Sequence, residues 1–363
     1  MTLRCGIVGL PNVGKSTIFN ALTAAGARVE NYEFCTIDPN EGIVPVPDLR
    51  LEKLTTLVEH DKIRRTTLEF VDVAGLVEGA AKQGRGRGAQ FLGHIRDTDA
   101  VVHVLRLFED PNVIASHATL DPVSDAEIVN LELIYADLET VEKRLGKAQK
   151  LARVGDKAAA KEVSVLEKIS QHLDKGAPAR DLPEGLLEET PSLQLLTAKP
   201  FVYVANVSEA QLHGSEKLGA VEELARGSAA PLVVICGDLE AEIASLDDRE
   251  ERKAFLDDMG LESPGLNKLV QVAYSTLDLI TFYTLVGTEI GSWTVTRGTA
   301  APQAAGKIHT DMEKGFIRAE VISFGEFVEL GSEARARDAG KIRLEGKDYE
   351  VADGDIIRFR FNV

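Results

Sequence analysis

Cysteine is scarce in this sequence, and the few cysteines present are not arranged for a disulfide or a metal. Cys5, Cys35 and Cys236 are widely separated and form no CxxC or Cys/His pattern, which argues against a disulfide framework and a structural zinc site. The sequence also lacks an apolar run of the roughly 18 to 20 residues that a membrane span needs. We therefore expect a protein of the reducing cytoplasm with no membrane partner.

Basic residues are also fewer than acidic ones, which argues against a partner that binds a broadly basic surface. The 41 lysines and arginines are outnumbered by 58 aspartates and glutamates, and the formal net charge is −17. Such a chain is not coated in a basic field for nucleic acid, although a local basic patch can survive an acidic average. Charge must therefore be examined region by region.

What the sequence does have is the composition of a folded protein with more than one domain. Hydrophobic residues make up 44% of the chain and charged residues 27%, as in ordinary globular proteins. Its 363 residues exceed the roughly 100 to 200 of a usual domain. Apolar strand-like runs alternate with helix-length segments, which predicts an α/β fold with a parallel sheet and crossover helices. The runs are residues 5–8, 67–73, 100–107, 201–205 and 232–235.

The alternation stops between about Asp125 and Leu196, where the sequence favours long helices. Two stripes of apolar residues, each with steps of three or four, predict one buried face on each of two helices. Gly155 and Asp156 lie between the stripes and suit a turn. We expect an antiparallel helical hairpin inserted into the α/β domain; two ordinary helices that cover the domain are the alternative. The stripes are Ile128, Leu131, Ile134, Leu138, Val141 and Leu145, then Val163, Leu166, Ile169 and Leu173.

The stretch between these stripes is basic, although the chain as a whole is acidic. Asp156 is the one acid among its cations, and this clustering is a candidate contact for RNA or another polyanion. A solvated helix face is the alternative. The cations are Lys143, Arg144, Lys147, Lys150, Arg153, Lys157 and Lys161. A second basic group, Arg335, Arg337, Lys341, Arg343 and Lys347, occurs in a late β-rich region and is a second candidate contact.

The segment from Gly9 to Thr17, GLPNVGKST, matches the phosphate-binding pattern G-x-x-x-x-G-K-[ST]. An apolar strand precedes it and a helix-forming run follows, which is the context that this loop requires. Backbone N–H groups bind phosphate oxygens, Lys15 offsets the charge of the β- and γ-phosphates, and the Ser16 hydroxyl coordinates Mg²⁺. The predicted nucleotide-binding residues of this loop are Asn12, Val13, Gly14, Lys15, Ser16 and Thr17.

Two further segments are predicted to lie beside the phosphates. Asp72 ends a strand-like run; its carboxylate is expected to hold the water shell of Mg²⁺, and the Gly75 N–H to reach the γ-phosphate. Thr36 is the predicted second protein ligand of Mg²⁺, in a loop that the triphosphate would order. Cys35 beside it is either a reactive thiol or a half-buried structural cysteine.

Base recognition is expected in the segment Asn206-Val-Ser-Glu209, which follows a strand. Guanine-specific switches carry Asn-Lys-x-Asp at this place, and their short carboxylate accepts from guanine N1–H and the N2 amine. Here Glu209 is one methylene longer, and Val207 replaces the lysine that would lie along the ring. The changed site should lose its preference for guanine; a variant that still prefers guanine is the alternative.

Five segments of the chain together resemble the Obg-like ATPase family, YchF subfamily. They are GLPNVGKST, FCTIDPN, DVAGLVEGA, NVSE and the late stretch APQAAGKIHTDMEKGFIRAEVISF. The resemblance covers essentially the whole chain. It implies a Ras-like P-loop domain that is interrupted by a helical coiled-coil hairpin and followed by a TGS domain, a small β-grasp module. The expected domains are the nucleotide-binding domain at 1–124 and 199–280, the coiled-coil insertion at 125–198 and the TGS domain at 281–363.

The same resemblance implies preference for ATP over GTP, slow hydrolysis, and association with the ribosome and its RNA. This chain departs from the family where GxGLGNxFL is common, because it has GRGRGAQFL from Gly84 to Leu92. The roles of Arg85 and Arg87 therefore stay open between an arginine finger and a solvated loop arginine.

The expected mechanism uses few side chains. Leu76 stands where many GTPases carry a water-positioning glutamine, so intrinsic hydrolysis should be slow. We expect the chemistry to rest on Lys15, Mg²⁺ and backbone donors. Asn12 is a candidate K⁺ site, because GxPNxGK loops are seen in potassium-activated relatives. His94, His103 and His117 have no spacing that marks a catalytic base.

Three functions remain open from the sequence alone. The first is an ATPase switch whose nucleotide state controls docking on the ribosome. The second is a GTPase regulator of the same architecture, and the third is a non-catalytic scaffold that nucleotide stabilises. Nothing in the sequence specifies a dimer, and we expect a monomer.

Overall fold

The computed structural model describes residues 3–29, 40–73, 87–110, 120–190 and 192–362. These residues divide into two compact units, each assembled from two stretches of chain. The first unit is Met1–Val44 with Glu69–Ala273, and the second is Pro45–Leu68 with Tyr274–Val363. In the described ranges, no helix combines the length and the apolar character that crossing a membrane requires.

The secondary structure is mixed throughout the chain. In order, the strands are β1 (Arg4–Val8), β2 (Glu41–Pro45), β3 (Lys62–Arg64), β4 (Thr67–Asp72), β5 (Ala100–Arg106), β6 (Phe201–Asn206), β7 (Leu232–Ile235), β8 (Leu279–Val286), β9 (Glu289–Thr296), β10 (Phe316–Ser323), β11 (Arg343–Glu345) and β12 (Asp355–Phe361). The helices are α1 (Lys15–Val29), α2 (Leu49–Leu57), α3 (Arg87–Arg96), α4 (Pro122–Arg153), α5 (Lys157–Asp174), α6 (Glu216–Gly227), α7 (Gly237–Ser245), α8 (Arg249–Asp258), α9 (Gly265–Thr276), α10 (Ala301–Ile308), α11 (Thr310–Lys314), α12 (Phe324–Leu330) and α13 (Glu333–Asp338).

The sheet of the first unit has the strand order β2-β4-β1-β5-β6-β7. The pairings of β1 with β4 and β5, of β5 with β6, and of β6 with β7 are all parallel, which confirms the predicted α/β fold. Every residue of β5 and β6 is buried, as expected for parallel strands covered on both faces. The carboxyl ends of these five strands meet at one edge of the sheet, where ligands bind in open α/β sheets.

Helices α4 and α5 are joined by a three-residue link and pack together through one apolar cluster. Gly155 adopts a φ of 92°, and the Asp156 carboxylate accepts from the N–H groups of Ala158 and Ala159 at the start of α5. The predicted turn is therefore confirmed. The predicted stripes supply much of this cluster, including Ile134, Val141, Leu166, Ile169 and Leu173. Ile128 and Leu131 are not part of this cluster, and 41% of the Leu131 surface is exposed.

The buried Asp137 of α4 fixes the return of the chain from this insertion to β6. Its carboxylate accepts hydrogen bonds from the N–H groups of Leu196 and Thr197 and from the Thr197 hydroxyl, at 2.7, 2.8 and 2.6 Å. Burial raises the pKa of Asp137, and these three donors act against that rise. The insertion is thus tied to the strand whose far end carries Asn206.

The second unit is a separate β-rich module with the strand order β11-β10-β12-β8-β9-β3. The predicted boundaries at 124, 198 and 280 stay predictions, but the compact units divide the chain differently in two places. The later stretch of the second unit begins at Tyr274, and residues 45–68, which we expected in the nucleotide-binding domain, belong to this module. The physical reason is pairing and polar contact: β3 pairs with β9, the Arg50 guanidinium donates twice to Asp353, and the Tyr283 hydroxyl donates to Asp48 at 2.5 Å.

Candidate nucleotide-binding site

The phosphate loop leaves β1 at the carboxyl edge of the sheet and leads into α1, which begins at Lys15. Gly9, Asn12 and Gly14 have φ angles of 152°, 61° and 92°, in the left-handed region that favours glycine and tolerates asparagine. A Cβ at Gly9 would lie 2.5 Å from the Val104 carbonyl oxygen. Glycine is therefore required at this position by close contact with β5 as well as by conformation.

Lys15 is held inside this loop. Its ammonium group donates to the carbonyl oxygens of Gly9 and Leu10 at 3.2 and 2.7 Å, and the residue is 7% exposed. Burial lowers the pKa of Lys15 to about 8, and the Asp72 carboxylate partly offsets that effect. The loop thus positions a cation that is poorly solvated and that gains from an incoming anion.

The affinity for nucleoside triphosphate should fall as the pH rises above about 8. Phosphate oxygens beside Lys15 favour its charged form and raise its pKa, so binding takes up a proton between pH 8 and the pKa of the complex. Below pH 8 the lysine is mostly protonated and does not change the affinity; above it affinity falls by up to about tenfold per pH unit. Titration of a fluorescent ATP analogue across this range measures the effect. A flat profile would contradict the assignment.

Ser16 and Asp72 lie together at the mouth of the loop. The Ser16 hydroxyl donates to Asp72 Oδ2 at 2.9 Å, and Asp72 is the last residue of β4. Mg²⁺ prefers oxygen ligands and keeps several waters, so one hydroxyl and one carboxylate in this arrangement fit its chemistry. The structure brings these two predicted metal residues to within hydrogen-bond distance of each other.

Several predicted residues cannot be placed in this site. Thr36, Gly75, Cys35, Leu76, Arg85 and His117 lie outside the described residues. Arg87 is the first residue of α3, but the structure does not describe its side chain. Their roles stay predictions.

Asn206 links the phosphate loop to a second loop at the same edge of the sheet. Its Nδ2 donates to the Val13 carbonyl oxygen and its Oδ1 accepts from the Gly237 N–H, both at 3.0 Å. Asn206 is 3% exposed, and a Cβ at Gly14 would lie 2.1 Å from its Nδ2. Sequence reasoning placed Asn206 among the nucleotide-binding residues; the structure gives its amide a positioning role between the two loops.

The rest of the Asn206-Val-Ser-Glu209 segment borders a cleft of about 350 Å³. Glu209 lines this cleft, whereas Val207 is 2% exposed and does not. Gln211 orders the segment, because its amide oxygen accepts from the Ser208 N–H and its nitrogen donates to the Leu107 carbonyl oxygen. The cleft is lined by Phe108, Glu109, Asp110, Ser208, Glu209, Cys236, Asp238, Leu239 and Glu242.

Most of these lining residues were missed by sequence reasoning. They follow the carboxyl ends of β5 and β7, and that position was the available signal. Two of the three histidines considered as catalytic bases lie in the described residues. His103 is fully buried in β5 against the rings of Phe201 and Tyr203, and burial lowers its pKa to about 3. His103 therefore stays neutral in the core, and His94 is exposed on α3.

The sequence of this chain is similar to two family models and to several known proteins. Residues 4–150 match the family model described as 50S ribosome-binding GTPase. Residues 279–362 match the YchF-GTPase C-terminal model, which is described as a protein of unknown function. The chain is 49% identical to the ribosome-binding ATPase YchF of Bacillus subtilis and to that of Haemophilus influenzae, over 100% of this chain and of each relative.

Two solved structures resemble the whole chain. The Schizosaccharomyces pombe YchF GTPase superposes with a TM-score of 0.89 at 35% identity, over 99% of this chain and 98% of that one. A GTP binding protein from Pyrococcus horikoshii superposes with a TM-score of 0.62 at 21% identity, over 99% and 100%. The second likeness concerns the fold alone.

Proposed function

This chain belongs to the YchF family, and from that premise we propose that it is a slow ATPase that associates with the ribosome in a nucleotide-dependent manner. The observation that carries the proposal is the convergence of Lys15, Ser16 and Asp72 at the carboxyl edge of the sheet. A buried lysine beside a hydroxyl and a carboxylate suits a triphosphate with its magnesium ion.

In this proposal each residue acts on the phosphates or on the metal. Lys15 exchanges its two carbonyl partners for β- and γ-phosphate oxygens, and the N–H groups at the start of α1 donate to the same anion. Ser16 and Thr36 would hold Mg²⁺, and Asp72 would orient its water shell; bound there, the ion would supply charge neutralisation during phosphoryl transfer. Gly75 would donate its N–H to the γ-phosphate.

ATP is proposed as the preferred nucleotide and GTP as a weaker one. Five carboxylates, Glu209 among them, line the cleft; they can accept from the 6-amino group of adenine as well as from guanine N1–H and the N2 amine, so they do not by themselves choose the base. Guanine also needs a donor for its O6 atom, and the Ser208 hydroxyl already donates to Gln211. A base with an unpaired acceptor is rejected by a site that offers it few donors.

Slow hydrolysis follows from the shortage of catalytic side chains. Leu76 cannot orient a water molecule, and His103 is neutral and buried. We assign the chemistry to Lys15 and backbone donors, with Asn12 holding K⁺ in the phosphate loop. The left-handed conformation of Asn12 turns this part of the loop as glycine would, which is compatible with a cation held by backbone carbonyl groups.

The two remaining structural features serve the ribosome in this proposal. Helices α4 and α5 form the inserted coiled-coil hairpin, and the second compact unit is the TGS β-grasp domain. The relatives that are 49% identical to this chain over its full length are named ribosome-binding, which supports a ribosomal partner. We propose a cytoplasmic, monomeric chain. A GTPase regulator stays the second candidate, because the Schizosaccharomyces pombe relative is called a GTPase. A nucleotide-stabilised scaffold is the third.

The decisive experiment measures binding and hydrolysis of ATP and GTP side by side, with and without ribosomes. We expect ATP to bind at least tenfold more tightly, a difference of about 1.4 kcal/mol, and turnover to be faster in potassium than in sodium buffer. Tenfold tighter GTP would favour the GTPase regulator. Equal rates in the two buffers would remove the K⁺ assignment without affecting the choice of base.

A further inference from the structure

The buried carboxylate of Glu240 lies on α7, a helix that borders the base cleft. Glu240 is 3% exposed. Its Oε1 accepts from the Gly265 N–H at 2.6 Å, and its Oε2 accepts from the Leu266 N–H at 3.4 Å. These donors belong to the first two residues of α9, where backbone N–H groups have no partner within their own helix. Glu240 thus caps α9 from another helix.

Stability alone does not require a cap of this kind. Burial raises the pKa of Glu240, and the two N–H donors act against that rise. A buried carboxylate is a costlier cap than an exposed one, and it ties the start of α9 to a distant part of the chain. Three other helices, α4, α5 and α8, are capped by an exposed aspartate immediately before them: Asp121, Asp156 and Asp248.

The contact between α7 and the start of α9 is close. Pro264 precedes α9, and its ring offers no side-chain acceptor that could serve as a local cap. A Cβ at Gly265 would lie 2.9 Å from Glu240 Oε1 and 3.4 Å from the Val234 carbonyl oxygen of β7. Because hydrogen bonds weaken steeply with distance and angle, a small displacement of Glu240 changes the strength of the cap.

The other side of α7 belongs to the nucleotide site. Asp238, Leu239 and Glu242 line the base cleft, and the Gly237 N–H donates to Asn206 Oδ1 at 3.0 Å. At about 3.6 residues per turn, Glu240 lies on the side of α7 opposite to Asp238 and Glu242. A base that shifts α7 therefore shifts Glu240 against the start of α9.

The far end of α9 is fixed as well. Tyr274 lies in its last turn, and the Tyr274 hydroxyl donates to the Ile280 carbonyl oxygen at 3.0 Å. The same hydroxyl lies 2.8 and 3.2 Å from the hydroxyl groups of Thr281 and Thr294. Tyr274 is also the residue at which the later stretch of the second unit begins. Polar contacts thus hold α9 at its last turn, and Glu240 holds it at its first.

We propose that Glu240 is a positioning residue that couples occupancy of the base cleft to α9. A bound base that holds α7 in place strengthens the cap, and an intact cap orders the cleft in return, because coupling between two sites is reciprocal. Without nucleotide, the first turn of α9 opens more often. This inference rests on the proposed ATPase switch, and it names a path from the bound base to the point where the chain enters the second unit.

The test measures hydrogen exchange of residues 265–276 with and without a non-hydrolysable ATP analogue, together with the affinity for a fluorescent ATP analogue. In the wild type, nucleotide should slow exchange in the first turn of α9 by about fivefold or more, the lower end of typical coupling between sites. Glu240→Ala should speed exchange in the free protein, abolish that response and weaken nucleotide affinity by up to the same factor. Glu240→Gln keeps one of the two acceptors and should show a reduced response.

Asp248→Ala is the matched control, because it removes a helix cap from α8 and changes no residue that lines the cleft. It should keep both the response of α9 and the nucleotide affinity. A cap that only stabilises the fold would change exchange equally with and without nucleotide, so an unchanged response in Glu240→Ala would overturn the proposal. An equal loss of response in Asp248→Ala would do the same. If melting curves show that Glu240→Ala does not fold, Glu240→Gln decides, and a full wild-type response in it would count against the coupling.

The same samples separate this inference from the proposed function. ATP binding without any response of α9 in the wild type would overturn the role of Glu240 and leave the ATPase standing. A response to GTP in place of ATP that Glu240→Ala abolishes would uphold the role of Glu240 and defeat the choice of ATP. A wild-type protein that binds neither nucleotide would defeat both.

Discussion

Lys15→Ala should abolish measurable ATP hydrolysis and weaken nucleotide binding strongly. Lys15 is the cation that the phosphate loop holds beside Ser16 and Asp72, and no other lysine is part of that loop. Removing one such preorganised donor lowers turnover by about 10² to 10³-fold. Steady-state ATP hydrolysis and titration with a fluorescent ATP analogue measure the two effects. A scaffold would keep its ribosome association in this variant, whereas a nucleotide switch should lose its response to ATP.

The same substitution should leave the free protein at least as stable as the wild type. Burial lowers the pKa of Lys15, which means that the folded protein holds this charge at a cost near neutral pH. Lys199 is a matched control: it is half-buried rather than buried, but like Lys15 it has a pKa lowered by burial and donates to two backbone carbonyl oxygens, those of Arg96 and Thr98. It precedes the amino end of β6, at the opposite edge of the sheet from the phosphate loop. Lys199→Ala should keep nucleotide affinity. Loss of affinity in this control would mean that general destabilisation explains the result.

Asn206→Ala should reduce both stability and turnover. The substitution leaves the Val13 carbonyl oxygen and the Gly237 N–H without their buried partner, at a cost of about 2 to 4 kcal/mol in the free energy of unfolding. It also releases the phosphate loop from the loop at the start of α7. A shift of about 1 Å in a catalytic group can lower turnover by about 10²-fold. Urea denaturation and ATP hydrolysis test the two parts separately.

Gln211→Ala is the matched control for this second prediction. Its amide also bridges two backbone groups, but these are the Leu107 carbonyl oxygen and the Ser208 N–H, and neither belongs to the phosphate loop. We expect it to cost about 1 kcal/mol of stability and to affect base binding more than phosphate binding. If both variants lowered turnover in proportion to stability alone, the positioning role of Asn206 would be wrong.

The parts of the fold that sequence reasoning predicted well depend on local patterns. The parallel sheet was readable because its buried strands are continuous apolar runs, as in β5 and β6. The turn between α4 and α5 was readable from Gly155 and Asp156, which adopt the conformation and the capping role that their side chains favour. Leu131 was misplaced because periodicity gives a helix face but not where the facing helix ends.

The sequence by itself determined the phosphate loop and the family. Nine consecutive residues carry the conformation, the charge and the hydroxyl that a triphosphate needs, so no distant contact had to be known. Only the tertiary structure decided that Asn206 joins two loops, since its amide reaches residues 193 and 31 positions away. It also decided which stretch of chain joins the second unit. The physical reason is that hydrogen bonds and ion pairs depend on spatial neighbours, and the order of residues along the chain does not specify those neighbours.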